Sequence, residues 1–306
     1  MDEQRAMWLA TNRTAIVERL QWLKGQGRGV IFTQPSNAYI VQVDKVLACL
    51  RLKLIGSTHD IFQSQLNLND PLDLAARYNQ AMLLSLAWQN EPRRIYMAGF
   101  GGGCLSLVLH HHFPQAVIEC TETDPLLVEV ATKFFGVQLD ARLKVAIQDA
   151  RAYLAQAGGS EHYNIIMLDV FLADGQSPYH LVTREFFELC QASLVEEGVV
   201  VANLLHPDPF FAEKVKTIQS VFEQVYLCTP WGNRVIIATN GAPLTVTELV
   251  DRTQALQEYH QFSFPLIARA LEVRAGSTLA DYIPHLDQAH ILTDLYPPLD
   301  WLHAEI

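Results

Sequence analysis

Four groups of small or acidic residues follow apolar segments in the middle of the chain. The turn Gly99-Phe-Gly-Gly-Gly103 follows the first segment, and Glu122, Asp149 and Asp169 close the next three. Glycines let a backbone approach a ligand closely, and the helix start behind them offers bare N–H groups. A carboxylate about 20 residues further on can accept both hydroxyls of a ribose. This spacing predicts a nucleoside site.

The surrounding elements must bring these groups to one edge. From residue 94 to 240, apolar strand-like segments alternate with helical ones. The strands lack polar alternation, which indicates burial on both faces and hence an α/β fold with a parallel sheet between helices. Ligands bind beyond the carboxyl ends of such strands. The last pair, QVYLCTP and RVIIATN, is joined by a short turn, which predicts an antiparallel hairpin.

At 306 residues the chain is predicted to form one large domain with smaller attachments. Helical periodicity covers residues 1–27. A small β-rich domain with a linking helix covers 28–91, and the nucleoside-binding domain covers 92–240. A C-terminal helical extension covers 241–306.

Composition narrows the class of protein. Half of the residues are apolar and 18% are charged, which is enough for a sizeable core. No apolar run reaches the ~20 residues that cross a bilayer, and the N-terminus lacks a signal core, so we expect a cytoplasmic protein. The net charge of −11 disfavours nucleic acid and favours a neutral or cationic partner.

Neither the cysteines nor the histidines predict a metal site. The five cysteines are scattered without a CxxC pair and are predicted to be buried free thiols in a reducing compartment. His110, His111 and His112 are consecutive, so on a helix they point ~100° apart and cannot converge on one ion. We expect a solvated helix end there. No metal is predicted.

The glycine turn itself disfavours a dinucleotide. A G-x-G-x-x-G fingerprint needs a third glycine for close helix packing, and Cys104 occupies that position. The terminal antiparallel hairpin also belongs to a different elaboration of the sheet.

Several segments in order resemble a known family. Residues 94–240 resemble the class I S-adenosylmethionine-binding fold, and the wider chain resembles the spermidine synthase family. The matching segments are AGFGGG (98–103), ETDP (122–125), QDARAYL (148–154), YNIIMLDVF (163–171), TREFFELC (183–190), FQSQLNLNDPLDLAARYNQAM (62–82) and HILTDLYPPLDWL (290–302). The resemblance implies a Rossmann-like methyltransferase fold: a mostly parallel seven-stranded sheet ending in the hairpin, preceded by a small β-rich domain. It also implies a homodimer.

The resemblance further implies a role for individual residues. Gly99, Gly101 and Gly103 would shape the turn under the methionine-derived part of the donor, and Glu122 would hold the ribose. Asp149 would accept from the adenine amino group, with Ala150 lining the ring. Asp169 would face the transferred group and the nucleophile, and Asp174 would be the second acid of a gate-keeping loop. Gln63 and Tyr78 would bind substrate from the β-domain side.

Tyr179 follows the Asp169 loop at a predicted helix start. From there it could reach an acceptor, or it could serve the helix start alone.

The chain also departs from the family pattern. Gly102 stands where an acid would pair with the propylamine of the donor, and Asn79 follows Tyr78 where a histidine is common. Apolar Val170, Phe171 and Leu172 replace the polar loop that would meet a polyamine. Each departure removes a contact to a cation.

The resemblance implies a transferase that uses an adenosyl sulfonium donor. In that mechanism Asp169 would orient an amine and accept its proton. The leading hypothesis is aminopropyl transfer from decarboxylated S-adenosylmethionine to a polyamine-like amine. The alternatives are methyl transfer from S-adenosylmethionine to a small molecule and a non-catalytic nucleoside-binding module. The donor's carboxylation state, the acceptor and the oligomer stay open.

Overall fold

The computed structural model describes residues 3–37, 39–56, 60–156, 162–172, 175–275, 278–298 and 301. They form two sheets joined by a short helical segment. The strands are β1 (Gly29–Pro35), β2 (Ile40–Val46), β3 (Cys49–Ile55), β4 (Asp60–Asn67), β5 (Arg94–Ala98), β6 (Val117–Glu122), β7 (Leu143–Ile147), β8 (Tyr163–Leu168), β9 (Leu194–Leu205), β10 (Gln224–Cys228), β11 (Asn233–Thr239) and β12 (Val273–Ala275).

Helices flank the second sheet and precede the first. They are α1 (Glu3–Lys24), α2 (Arg77–Met82), α3 (Cys104–His112), α4 (Pro125–Phe134), α5 (Ala150–Gln156), α6 (Arg184–Ala192), α7 (Phe211–Gln219), α8 (Val246–His260), α9 (Leu266–Ala270) and α10 (Leu279–Tyr282), with short 3₁₀ turns at Leu83–Ala87, Tyr179–Leu181 and Leu286–Gln288. None of these described helices combines the length and apolar character that crossing a membrane requires.

The first sheet is a four-stranded antiparallel meander in the order β1-β2-β3-β4. Strand β3 alternates buried and half-buried residues, as a sheet with one covered face should. The sheet is tied to the second one at Asp124, whose Oδ2 accepts from the hydroxyls of Ser36 at 2.6 Å and Tyr39 at 2.9 Å. Strand β4 of the first sheet also reaches the glycine turn, where Ser64 contacts Gly102.

The second sheet has the order β12-β10-β11-β9-β8-β5-β6-β7 in the described residues. Strands β7, β6, β5, β8 and β9 are parallel neighbours. Strand β11 runs antiparallel to both of its neighbours, β9 and β10, so β10 points in the same direction as the five parallel strands. The predicted α/β fold with a terminal hairpin and a β-rich N-terminal part is confirmed. The short β12, from a segment expected to be helical and irregular, adds one further antiparallel strand beyond β10.

The sequence NDPLDL, with Pro71 near a first turn, predicts the start of the linking helix, but the structure begins this helix later. Pro71 marks a turn rather than the first helical residue, and α2 begins at Arg77. It passes directly into the 3₁₀ turn Leu83–Ala87, whose five residues are all buried. The apolar run thus forms a buried connection between the two sheets.

The expectation of a solvated helix end at His110–His112 is wrong, because α1 covers it. The three histidines are only 4–6% exposed. Trp8 on α1 donates from Nε1 to the carbonyl of His111 at 3.0 Å, and Asn12 Oδ1 lies 2.8 Å from the Nδ1 atom of His111. Burial lowers the pKa of His111 to about 4. The three rings have different partners: Asp140 for His110, Asn12 for His111 and Phe262 for His112. No metal-holding cluster occurs among the described side chains.

The cysteines are free thiols, as predicted. Cys104, Cys120, Cys190 and Cys228 are buried, and Cys49 is half-buried. Burial raises the pKa of Cys104 to about 12, which suits a packing residue at the start of α3 rather than a nucleophile.

Candidate active site

The glycine turn brings the ends of β5 and β8 into direct contact. Gly99 and Gly101 adopt φ values of +85° and +53°, which favour glycine. A Cβ atom on Gly99 would overlap the carbonyl oxygen of Asp169, so the close approach itself excludes a side chain. Gly103, at φ +68°, is closed in by Val137, 2.7 Å from where its Cβ would stand. The predicted turn residues thus place Asp169 against the turn.

Glu122 at the end of β6 organises the same turn. Its Oε2 atom accepts from the backbone N–H groups of Phe100 at 3.3 Å and Gly101 at 3.2 Å. Its Oε1 atom accepts from the N–H groups of Thr123 at 2.8 Å and Asp124 at 3.1 Å. The carboxylate is therefore held beside the glycine turn in a fixed orientation, half-buried and within reach of a ligand on the turn.

Asp149 lies at the end of β7, one strand further along the edge. Its Oδ1 atom accepts from the N–H group of Ala152 at 2.9 Å, and its Oδ2 atom lies 2.7 Å from His180 Nε2. Burial opposes ionisation, but the bonds from Ala152 and His180 outweigh it and hold the pKa of Asp149 below its usual value. Ala150 is buried at the first position of α5. Both residues therefore follow β7 at the same sheet edge as Glu122, and their contact with a base stays a prediction.

Asp169 ends β8 between the glycine turn and a cavity. Its Oδ1 atom accepts from Asn203 Nδ2 at 2.8 Å, and the Asn203 side-chain oxygen accepts from Asn233 Nδ2 at 2.9 Å. Asn203 is only 4% exposed, so this chain of amides is fixed. Burial raises the pKa of Asp169 to about 6, and the hydrogen bond from Asn203 limits the rise. The carboxylate can therefore take up a proton near neutral pH.

The cavity beside Asp169 measures about 360 Å³. That volume falls within the ~300–1,000 Å³ common for small-molecule sites. Its walls come from β4 of the first sheet, the start of α2 with the residues before it, the ends of β8 and β9, and the β10–β11 turn. Polar atoms are supplied by Gln63, Tyr78, Asp169, Asn203 and Asn233, and large apolar surfaces by Phe62, Phe171, Leu205 and Trp231. Burial and the nearby charge of Asp169 raise the pKa of Tyr78 well above its usual value, which keeps the phenol protonated.

Ser64 on β4 fills the space where the family pattern places an acid. It accepts from the N–H group of Gly102 through its Oγ at 3.0 Å. A Cβ atom on Gly102 would lie 2.7 Å from the Ser64 Cβ and 3.3 Å from the Phe135 ring. Gly102 is therefore required by its neighbours, and an acid there would displace β4.

Two predicted substrate residues do not join this group. Tyr179 points its hydroxyl at the carbonyl of Thr293, 2.8 Å away, and its ring packs on Trp301, so it contacts the C-terminal segment. Its role as a substrate residue stays a prediction that this contact does not support. Asp174 lies outside the described residues.

Three residues that build the site, Asn203, Asn233 and Ser64, are not indicated by the motifs of the sequence. Asn203 and Asn233 lie in strands read as apolar core and hairpin, and Ser64 was passed over inside a matching segment. The hairpin turn that holds Trp231 allows an interface anchor, a lid over the site or, as the favoured prediction, core packing. Core packing is wrong, because Trp231 is 87% exposed at the cavity rim. The one available signal was polar Asn203 within the otherwise apolar run VVVANLL.

Fold and site together define a class: an α/β protein of Rossmann-like fold with an acid between a glycine-rich turn and a cavity. The spermine/spermidine synthase domain matches residues 80–231. A polyamine aminopropyltransferase from Vibrio vulnificus is 30% identical over 230 residues, which cover 74% of this chain and 75% of that protein. The chain belongs to the spermine/spermidine synthase family.

Methyltransferases are also similar to this chain. The human eEF1A lysine and N-terminal methyltransferase is 33% identical over 205 residues, which cover 60% of this chain but only 29% of that longer protein. The structure of human methyltransferase-like protein 13 in complex with SAH superposes with a TM-score of 0.58 at 29% identity, covering 62% of this chain and 95% of that one. Aminopropyltransferases and methyltransferases are both transferases, so the chain is an enzyme of this general class.

Proposed function

We propose that this protein transfers an alkyl group from an adenosyl sulfonium to an amine, with aminopropyl transfer from decarboxylated S-adenosylmethionine to a polyamine-like acceptor as the lead. One observation carries the proposal: Asp169 stands between the glycine turn and the acceptor cavity. The similarity to a polyamine aminopropyltransferase over three quarters of both chains supports aminopropyl transfer.

The residues suit a direct displacement. The amine nitrogen attacks the carbon bonded to the sulfonium, the new N–C bond forms as the C–S bond breaks, and the electron pair of that bond leaves with sulfur as a neutral thioether. The nitrogen must shed a proton, and Asp169, with a pKa of about 6, is ionised at neutral pH and can accept it. Most of the rate then comes from holding the two reactants in line.

The cavity walls indicate the kind of acceptor. Phe62, Phe171 and Trp231 offer aromatic faces to an aliphatic or cationic amine, since such faces attract ammonium groups. Gln63 and Tyr78 can hydrogen-bond an amine beside Asp169. A short amine with an apolar stem therefore fits this cavity in chemical type.

A specific observation favours methyl transfer from S-adenosylmethionine as the second candidate. Ser64 occupies the space beside Gly102, so the turn supplies no carboxylate for the ammonium of a decarboxylated donor. Arg77 also lines the acceptor cavity and opposes a strongly cationic acceptor. Both features suit a donor that keeps its own carboxylate and an acceptor of lower charge.

The deciding experiment offers the purified protein each donor in turn with putrescine as the acceptor, then with a panel of mono- and diamines. Mass spectrometry of the amine separates an added aminopropyl group from an added methyl group, and the thioether product reports turnover. Aminopropyl products from the decarboxylated donor support the lead. Methylated products from S-adenosylmethionine would overturn it in favour of the second candidate.

A third outcome would be donor binding without consumption of either donor by any amine. Calorimetry would then show the same affinity for parent and Asp169→Asn, and the protein would be a binding module. A homodimer in the cytoplasm belongs to the same proposal, and sedimentation of the purified protein tests the dimer.

A further inference from the structure

The carboxylate of Asp149 is held by an imidazole from a distant part of the chain. His180 Nε2 lies 2.7 Å from Asp149 Oδ2, across 31 positions of sequence. Both side chains are partly open to solvent. The main-chain bond from Ala152 to the other oxygen, Oδ1, already caps the start of α5. The contact with His180 therefore does something that capping the helix does not require.

The main chain at His180 is fixed by an arginine of α5. Arg151 donates from Nη1 to the carbonyl oxygen of His180 at 3.1 Å. The same guanidinium contacts both carboxylate oxygens of Asp294, at 2.7 and 2.5 Å, and such a bidentate pair fixes its orientation. The residue after His180, Leu181, is buried. The imidazole therefore projects toward Asp149 from a main chain that is held in place.

The C-terminal segment braces the same turn. The hydroxyl of Tyr179 donates to the carbonyl of Thr293 at 2.8 Å, and Thr183 Oγ1 donates to Asp294 Oδ1 at 2.8 Å. Three separate segments thus meet at this place: the start of α5, the 3₁₀ turn Tyr179–Leu181 and residues 293–294. Side chains that are held by several segments at once keep a defined geometry when a ligand arrives.

The hydrogen bond between His180 and Asp149 has one direction. Burial opposes ionisation of Asp149, but hydrogen bonds from the chain keep its pKa below the usual value, so the carboxylate is ionised at neutral pH. An ionised carboxylate can only accept, so Nε2 of His180 carries the proton. Each carboxylate oxygen has two lone pairs. Oδ2 can therefore accept from a second donor while His180 keeps its bond.

The orientation of this oxygen matters for the choice of base. The amino group of adenine donates two hydrogen bonds, whereas hypoxanthine has a carbonyl oxygen at the same ring position and can only accept there. A carboxylate fixed toward that position stabilises adenine and repels the oxygen of hypoxanthine. A carboxylate free to turn away would discriminate less.

We propose that His180 is a positioning residue for the adenine end of the donor site. It fixes Asp149 Oδ2 so that the carboxylate accepts from the amino group of adenine and rejects a base that carries an oxygen there. The inference rests on the proposed function, because it takes the nucleoside to lie along the edge formed by the glycine turn, Glu122 and Asp149.

The test compares 5′-methylthioadenosine with 5′-methylthioinosine by calorimetric titration of the full chain. Neither probe has an amino-acid or aminopropyl tail, so the result does not depend on which donor the protein uses. We expect the parent to bind the adenine nucleoside at least ~10-fold more tightly, because the inosine oxygen would face the Asp149 carboxylate. In His180→Ala this preference should fall by ~3–10-fold, mainly through weaker binding of the adenine nucleoside.

Two further variants separate positioning from a general structural effect. His180→Gln places an amide N–H near the position of Nε2 and should keep the preference within about twofold of the parent. His162→Ala removes an exposed imidazole that precedes β8, at the end of that strand opposite Asp169, and should leave both affinities unchanged.

The outcomes distinguish this inference from the proposed function. An unchanged preference in His180→Ala, or an equal loss of affinity for both nucleosides, would overturn the role of His180 and leave the donor site intact. Failure of the parent to bind either nucleoside would overturn the donor site itself, and the role of His180 with it.

Discussion

The donor half and the acceptor half of the candidate active site are built in different ways. On the donor side, main-chain groups hold the site in place. Glu122 accepts hydrogen bonds from four main-chain N–H groups, and Gly99 has no room for a side chain. On the acceptor side, side chains converge from β4, the segment before α2, β9 and the β10–β11 hairpin. Asp169 belongs to both halves, because its carbonyl touches the turn and its carboxylate faces the cavity.

The difference shows where specificity can change. A backbone-built half tolerates few substitutions, since each glycine is fixed by its neighbours. A half built from converging side chains can be rebuilt one residue at a time without disturbing the sheet. A chain built in this way can resemble both aminopropyltransferases and methyltransferases, as this one does.

The largest effect is expected where the two halves meet. Asp169→Asn keeps an oxygen that can accept the hydrogen bond from Asn203, but it removes the carboxylate that accepts the proton of the amine. Turnover should therefore fall by ~10²–10⁴. Donor affinity, measured by calorimetry, should change little because Glu122 and the turn are untouched. Asp251→Asn on the exposed face of α8 is the matched control and should keep full activity. Equal loss of donor binding would mean that Asp169 belongs to the donor half alone.

Gly99→Ala should damage the donor half through its backbone. The added Cβ would overlap the Asp169 carbonyl and strain a φ of +85°, so we expect a loss of unfolding free energy of ~2 kcal/mol or more, together with weakened donor binding. Gly27→Ala, with nothing within 4 Å of the new Cβ, should stay within ~0.5 kcal/mol of the parent. Denaturant unfolding measures both, and similar values for the two variants would contradict the close approach.

Donor choice should depend on a pair of residues. Gly102→Asp alone would press on Ser64, 2.7 Å from the new Cβ, and should lower the affinity for both donors. Adding Ser64→Gly makes room, and we expect the double variant to shift preference toward the decarboxylated donor by ~10-fold, because its ammonium gains a carboxylate partner. Competitive titration of the two donors checks this. An unchanged ratio in the double variant would remove position 102 from donor choice.

The smallest effect concerns pH. An acid whose folded pKa is raised to about 6 becomes active as pH rises through that value, so kcat/KM should rise with an acid limb near pH 6. Asn203 donates to the ionised form, so Asn203→Leu should raise the pKa further and move this limb up by ~1 unit. Asn233→Ala removes only the hydrogen bond to the side-chain oxygen of Asn203, so it should shift the acid limb less. A limb that moves down would contradict the assignment to Asp169.

The sequence predicted the donor half better than the acceptor half for a physical reason. Gly99, Glu122 and Asp169 follow strands, and strand ends in a parallel sheet meet at one edge whatever the details of packing. Asn203, Ser64 and Trp231 matter through contacts between distant segments, which no local pattern encodes. The wrong prediction for His110–His112 has the same origin, because the position of α1 decides whether that helix end is exposed to solvent or buried.

The clasp of Asp124 on Ser36 and Tyr39 has a thermodynamic consequence. One continuous apolar core includes Leu20 of α1, Leu52 of the first sheet and Ile165 of the second. The predicted domain boundary near residue 91 therefore does not separate two independently stabilised units. Regions that share a core melt together. Scanning calorimetry should therefore record a single endotherm for the whole chain, and a fragment starting at residue 92 should not form the folded donor turn.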